Sequence, residues 1–329
     1  MSETLKPFSI GGLTIGFPVV LAGMAGYTDL PYRALCRAGG AEFCTTEMML
    51  DKCLLAGVKL RRRLAATDSQ DHPVAGQLIG NDPVMMAEAA GLLCQLGFDV
   101  IDLNFACPVN KTLRRKRGGH LLNEPERCVG IVRSVVSACN RPVTLKLRRK
   151  FRQDDSDAAF WSIAEGAFEA GAAALTVHSR SVQAKYAGPA DWQFLAAVKG
   201  RFADRTIVGS GDMLTPQAAL DALGRTNLDA VAIARGALGN PWFFRQAKDL
   251  AEGRQPYAPT IEDQKQVLLK HFADACCLYG ADRGPKIMRK FGIKYARLHP
   301  ATRQVRMAFA GAKGPEGWQS VVAEYYDAR

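Results

Sequence analysis

The sequence predicts an α/β protein: a (β/α)8 TIM barrel followed by a small all-helical C-terminal domain. Three observations lead there. Eight short apolar strand candidates alternate with helical spacing. Nearly every candidate ends in a polar or reactive residue, which is where barrels keep their chemistry. After Gly239-Asn240-Pro241-Trp242 the strand signals stop and the pattern reads helical. The 329 residues, 48% hydrophobic, suffice for one barrel-sized unit and a smaller one. The expected division is 1–250 for the barrel, 251–260 for a Gly/Pro-bearing linker and 261–329 for the helical domain.

The first strand candidate, Pro18–Met24, ends in Ala22-Gly23-Met24. Leu21-Ala22-Gly23-Met24-Ala25-Gly26 has two glycines but not the GxGxxG spacing of a dinucleotide turn, which disfavours an open doubly wound sheet. Glu42–Glu47 and Val74–Ile79 follow, the latter bearing Gln77. Pro83–Leu96 has the apolar spacing of a helix. Val100–Ala106 holds Asn104 and is stopped by Cys107-Pro108, because proline has no N–H and disfavours helix at the residue before it. A basic, glycine-bearing loop comes next, with Lys111, Arg114, Arg115, Lys116 and Arg117 before Gly118-Gly119. Glu126–Ala138 reads as a helix. Pro142–Arg148 carries Lys146 and Arg148, and Ala174–Arg180 ends in His178 and Arg180. Thr206–Asp212 ends in Ser210-Gly211-Asp212. Pro216–Leu223 opens a helix with Thr215 as N-cap and proline in its first turn. Ala230–Gly236 ends in Ala234-Arg235.

The formal charge is +11 and the isoelectric point about 9.3. Small neutral metabolites do not call for such a balance; polyanions such as nucleic acid do. From Ile261 onward twelve Lys and Arg face seven Asp and Glu. Lys286, Arg289, Lys290 and Lys294 fall at helical spacing, forming a cationic stripe or a solvated helix face. The nine cysteines are odd in number and include no CxxC pair, and the five histidines include no i, i+4 pair. A disulfide framework and a helical His-pair metal site are therefore not indicated. Met1–Phe8 lacks an apolar segment, and no 18-residue apolar run exists. A soluble cytoplasmic protein without metal or membrane partner, and a monomer, is expected.

A lysine in a buried-type strand must reach the barrel mouth or pair with an anion. For Lys146 a flavin's anionic N1–C2=O edge is one such partner, and a structural ion pair is the other. His178 could donate to a phosphate or ring carbonyl, or be a satisfied core residue. The loops at Ser210–Asp212 and Ala234–Arg235 end the last two strands, where barrels commonly hold a phosphate on backbone N–H groups. Cys107 reads as a general acid or as a small apolar strand end.

The motifs, in order, resemble the tRNA-dihydrouridine synthase family, the bacterial B-type most. They are Ala22 through Arg33, Glu47-Met48-Met49, Gln77 with Gly80, Asp102-Leu103-Asn104, Cys107-Pro108-Val109, Val143 through Lys146, His178-Ser179-Arg180, Gly211-Asp212 and Arg235 through Trp242. The resemblance implies an FMN-containing barrel with a helical tRNA-binding domain. NADPH would reduce FMN, the flavin would pass hydride to C6 of a uridine, and Cys107 would protonate C5. It places Ala22, Gly23, Met24, Gln77, Lys146, His178, Ser210, Gly211, Asp212, Ala234 and Arg235 around the flavin. Asn104 would hold the uracil edge, and Lys111 and Arg180 would serve the uridine or its phosphate. The chain departs from the family at Gly23, usually Pro; at Ser210, usually Asn; at Ala234, usually Gly; and at Phe105-Ala106, usually Met-Gly. Backbone donation at Ser210 and Ala234 survives if φ stays negative, so FMN is still expected to bind. Two other classes fit the residues less fully: an FMN barrel acting on a free small molecule, and an RNA-binding barrel without chemistry.

Overall fold

A computed structural model describes residues 5–327. The first four residues and the last two, which fall within the expected barrel and helical domains, lie outside the described residues, as does half of the Met1–Phe8 segment.

Eight parallel strands close into a barrel: Val19–Leu21, Cys44–Thr45, Val74–Ile79, Val100–Phe105, Val143–Arg148, Ala174–His178, Thr206–Ser210 and Ala230–Ile233. Closure is visible in the register. Val231 pairs with Val19 and Leu21 with Cys44, and Cys44 in turn pairs with Val74. All eight expected strands form, each ending at or before its expected last residue, because the polar tips leave the ladder to face the mouth. A short ninth strand, Met49–Leu50, extends the sheet beside Leu78–Ile79.

The expected helices form as Pro83–Gln95, Pro125–Ala138 and Pro216–Thr226, the last capped by the Thr215 hydroxyl accepting from the Ala218 amide. Their apolar faces and the outward side chains of the strands make one large core. A hairpin not anticipated from the sequence, Phe8–Ile10 with Leu13–Ile15, closes the opposite end. Its Phe8, Ile10 and Ile15 pack with inward residues such as Val20, Val100 and Val208. Its strands are three residues long, too short for period-2 alternation to register, and Gly11-Gly12 supplies the two-residue turn.

The helix Phe243–Ala251 completes the last βα unit. A capping box of Thr260 and Asp263 then starts Ile261–Tyr279, followed by Gly284–Tyr295, Thr302–Gly311 and Gly314–Tyr326. The first two of these helices pack on the barrel near its mouth, and the last two pack on them, with Trp318 against Phe272 and Met288. Phe291 lies 5.2 Å from the Tyr32 ring and edge-on to Tyr27. Among the described residues no helix is long and apolar enough to cross a membrane.

Candidate active site at the barrel mouth

Register explains why polar side chains recur inside apolar strands. Gln77, Asp102 and Thr144 share one level, Asn104, Lys146 and Thr176 the next, and Arg148, His178 and Ser210 the level at the mouth. Each is two residues beyond the last on its strand, so all face inward.

The lower levels form a hydrogen-bonded chain. Thr144 donates to Asp102 (2.7 Å), Gln77 Nε2 donates to the other Asp102 oxygen (2.7 Å), and Asn104 Nδ2 donates to Gln77 Oε1 (2.8 Å). Asn104 Oδ1 accepts from the amides of Ala106 (3.1 Å) and Cys107 (3.0 Å), which fixes the strand tip. Burial pushes the Asp102 carboxyl up, against the pull of Thr144, Gln77 and Lys146.

Above this chain lies a cavity of about 440 Å³, within the usual range for small-molecule sites. Ala22, Gly23, Met24, Gln77, Asn104, Cys107, Lys146, His178, Ser210, Gly211, Asp212, Ala234 and Arg235 all line it. The Lys146 ammonium makes no hydrogen bond or ion pair among the described residues, and burial lowers its pKa to about 8 despite nearby Asp102. His178 is held neutral, its pKa brought to about 2 by burial and then by Arg148, Lys146, Arg180 and Arg235. Its Nδ1 is buried without a partner among the described residues. Gly211 is required beside it, since a Cβ there would reach 3.2 Å from Nδ1 in a backbone with φ +130°. Gly23 is likewise required: a Cβ would lie 2.4 Å from the Thr46 carbonyl oxygen, which accounts for the departure from proline.

At the ends of the last two strands, the amides of Gly211, Asp212, Met213, Arg235 and Gly236 have no acceptor among the described residues. Ser210 and Ala234 both keep negative φ. This cluster of free donors, with the Arg235 guanidinium beside it, suits a phosphate. The unpaired ammonium, the unpartnered imidazole nitrogen and the free amides together fit a phosphate-bearing, electron-rich ring system such as a flavin nucleotide.

Cys107 is buried with a free thiol. Its Sγ lies 3.7 Å from the Thr112 hydroxyl, and its carbonyl accepts from the Gly119 amide (3.0 Å). Two expected site residues do not line the cavity. Lys111 stands exposed in the short helix Asn110–Leu113. Arg180 is buried and bonds the Gly188 carbonyl and Asp212 (2.5 Å each).

Several cavity residues are not among the expected site residues: Tyr27, Met48, Tyr186 and Leu238 line it, as do Arg148 and Lys294. Arg148 donates to the carbonyls of Ala106 (3.0 Å), Ser181 (2.8 Å) and Lys185 (2.8 Å). Its signal was present, two residues after Lys146 on the same strand. Tyr186 lies in a loop without periodicity, under the Arg235 guanidinium at 4.4 Å.

A closed (β/α)8 barrel with this mouth fits the class of barrels that hold a phosphate-bearing cofactor at their strand ends. Comparison with known proteins gives the family. The family model described as dihydrouridine synthase (Dus) matches residues 20–326. The chain is 33% identical over 321 residues to tRNA-dihydrouridine synthase B of Pseudomonas aeruginosa, covering 97% of this chain and 96% of that one. It is 32% identical over 301 residues to a probable tRNA-dihydrouridine synthase of Rhodobacter capsulatus, covering 91% and 92%. The chain therefore belongs to the dihydrouridine synthase family, flavin-dependent oxidoreductases that reduce uridines in tRNA. Two solved structures share the fold at 15% identity. They are 2-naphthoyl-CoA reductase in complex with 2-naphthoyl-CoA (TM-score 0.62, 77% of this chain and 53% of that one) and histamine dehydrogenase from Rhizobium sp. 4-9 (TM-score 0.58, 81% and 51%). This chain spans about half the length of either.

Proposed function

We propose that the protein converts a uridine of tRNA to 5,6-dihydrouridine, with FMN as resident cofactor, NADPH as reductant and Cys107 as acid. The observation that carries this is the meeting, in one cavity, of a fixed thiol, an unpaired Lys146 ammonium and free strand-end amides. Bound FMN, reduced by NADPH, supplies the hydride to C6. Lys146 holds the anionic edge of the ring and His178 meets it with a neutral nitrogen. Gln77 and the Ala22–Met24 segment bound the ring. Ser210, Gly211, Asp212, Ala234 and Arg235 hold the phosphate end.

Asn104 Nδ2 donates to Gln77 (2.8 Å) and weakly to the Met48 sulfur (3.9 Å), and the uracil edge replaces the sulfur as the second acceptor. Cys107, fixed at its amide by Asn104 and at its carbonyl by Gly119, gives its proton to C5. Lys111 at the exposed rim meets the RNA backbone, and Arg180 serves the nucleotide end by holding Asp212 in place. Residues 261–329 form the tRNA-binding part, which joins the barrel through 251–260. Drawing a uridine out of a folded tRNA has an unstacking cost that phosphate contacts offset. We place the protein in the cytoplasm, as a monomer.

The test is to release and identify the flavin of the purified protein, then follow NADPH consumption with tRNA lacking dihydrouridine. FMN and tRNA-dependent NADPH oxidation are expected. Absence of flavin, or oxidation indifferent to tRNA, would refute the proposal.

A further inference from the structure

One cation of the helical part enters the catalytic cavity. Lys294, near the end of Gly284–Tyr295, lines it beside Tyr27, Arg235 and Leu238. Its position is set by backbone contact. A Cβ at Gly239 would lie 2.1 Å from the Lys294 carbonyl oxygen, so only glycine lets the helix end sit this close. Arg297 fastens the same junction by donating to the carbonyls of Gly236 (3.0 Å) and Leu238 (3.2 Å).

Lys290, one turn earlier, is engaged: it bonds the Gly26 carbonyl and lies 4.3 Å from the Tyr27 ring centroid. The Lys294 ammonium differs. Among the described residues it has no hydrogen-bond acceptor and no carboxylate within 4.0 Å, and its contact with the Tyr27 ring is distant, at 6.0 Å. A partly exposed ammonium without a counter-charge, facing the cavity, is open to an anion that reaches the mouth.

Three groups bring phosphates to this mouth: FMN, whose phosphate the strand-end amides and Arg235 already serve, the RNA strand and NADPH. The geometry favours the strand. Lys286 and Arg289 on the same helix are exposed and unpaired among the described residues. A strand crossing this helix would meet those two before Lys294. We propose that Lys294 is a phosphate-binding residue of the catalytic mouth, taking a phosphodiester next to the uridine being reduced. This rests on the tRNA reading above, and goes beyond it in naming a contact between the helical part and the reacting nucleotide.

The experiment measures tRNA affinity of the FMN-loaded full-length protein from about 50 to 200 mM salt for wild type, Lys294→Gln and Lys294→Arg. Dihydrouridine formation and NADPH-driven flavin reduction are measured alongside. Lys294→Gln should weaken tRNA binding about 3–10-fold at low salt and make the slope of log affinity against log salt shallower by about 0.7–0.9. Lys294→Arg should restore both. An unchanged slope in Lys294→Gln would overturn the proposal. So would a raised KM for NADPH in flavin reduction without tRNA, which would give the contact to the dinucleotide, or a loss of FMN, which would give it to the FMN phosphate. The binding slope is readable without turnover. A wild-type protein that forms no dihydrouridine would instead overturn the reaction assigned above.

Discussion

Gly118→Ala isolates the position of the Cys107 thiol from its chemistry. Gly118 has φ +57°, and a Cβ there would lie 2.9 Å from Cys107 Cβ, 3.0 Å from Thr112 Cγ2 and 3.1 Å from the Cys107 carbonyl oxygen. Carbon–carbon contacts settle near ~3.5–4.0 Å, so the cysteine and the new methyl must separate by about 0.6–1 Å. A misplacement of about 1 Å in a reacting group costs about 10²-fold in rate. The expected result is dihydrouridine formation slowed roughly 10–100-fold, with flavin content and flavin reduction by NADPH as in wild type. The backbone strain of a non-glycine at positive φ adds roughly 1–2 kcal/mol of lost stability. Gly97→Ala is the control: φ is +90° and nothing lies within 4 Å of its Cβ. It should lose similar stability and keep full activity. The assay is single-turnover dihydrouridine formation by flavin-reduced enzyme, with urea denaturation in parallel. A wild-type rate for Gly118→Ala, or an equal slowing by Gly97→Ala, would refute the reasoning.

Two further outcomes follow from the charges of the site. Lys146, with its pKa lowered from 10.5 to about 8 by burial, loses its ammonium in the flavin-free protein as pH rises through that value. The unfolded chain keeps the proton to higher pH, so this group makes the flavin-free fold more stable between those two values as pH rises. The N1–C2=O edge, anionic once the flavin is reduced, needs the ammonium, so affinity for reduced FMN should fall above about pH 8, approaching tenfold per pH unit, and Lys146→Met should abolish that slope; identical titrations of the two proteins would contradict it. Arg180→Ala should cost roughly 2–4 kcal/mol in urea denaturation, less than a fully buried pair because Asp212 keeps partial contact with water. A loss under about 1 kcal/mol would show that the Arg180–Asp212 pair is not a strut.

The barrel was legible because both strand faces are covered. Runs such as Val74–Ile79 and Val100–Phe105, apolar but for Gln77, Asp102 and Asn104, bury every residue. The inward polar residues were legible for the same reason: Asn104, Lys146 and His178 stand out against such surroundings. What periodicity could not show was partnership. The resemblance offers Arg180 to the uridine or its phosphate, and in the structure the carbonyls of Ala187 and Gly188 and the Asp212 carboxylate engage it outside the cavity lining. The stripe from Lys286 to Lys294 reads as one surface, but the helix turns Lys290 and Lys294 toward Tyr27 and leaves Lys286 and Arg289 in solvent. Tyr186 and the Phe8–Ile15 hairpin depend on a loop path and on three-residue strands, which carry no repeating pattern.

The most direct test of the account is nucleoside mass spectrometry of tRNA from cells lacking this gene, complemented by wild type or by Cys107→Ala. The account predicts that dihydrouridine at one tRNA position disappears on deletion and returns with wild type. With Cys107→Ala it should return slowly or not at all, since loss of a general acid costs about 10²–10⁴ in rate, while the purified variant keeps its flavin. Undiminished dihydrouridine in the deletion strain, together with no dihydrouridine formed by the purified protein on tRNA lacking it, would contradict the account.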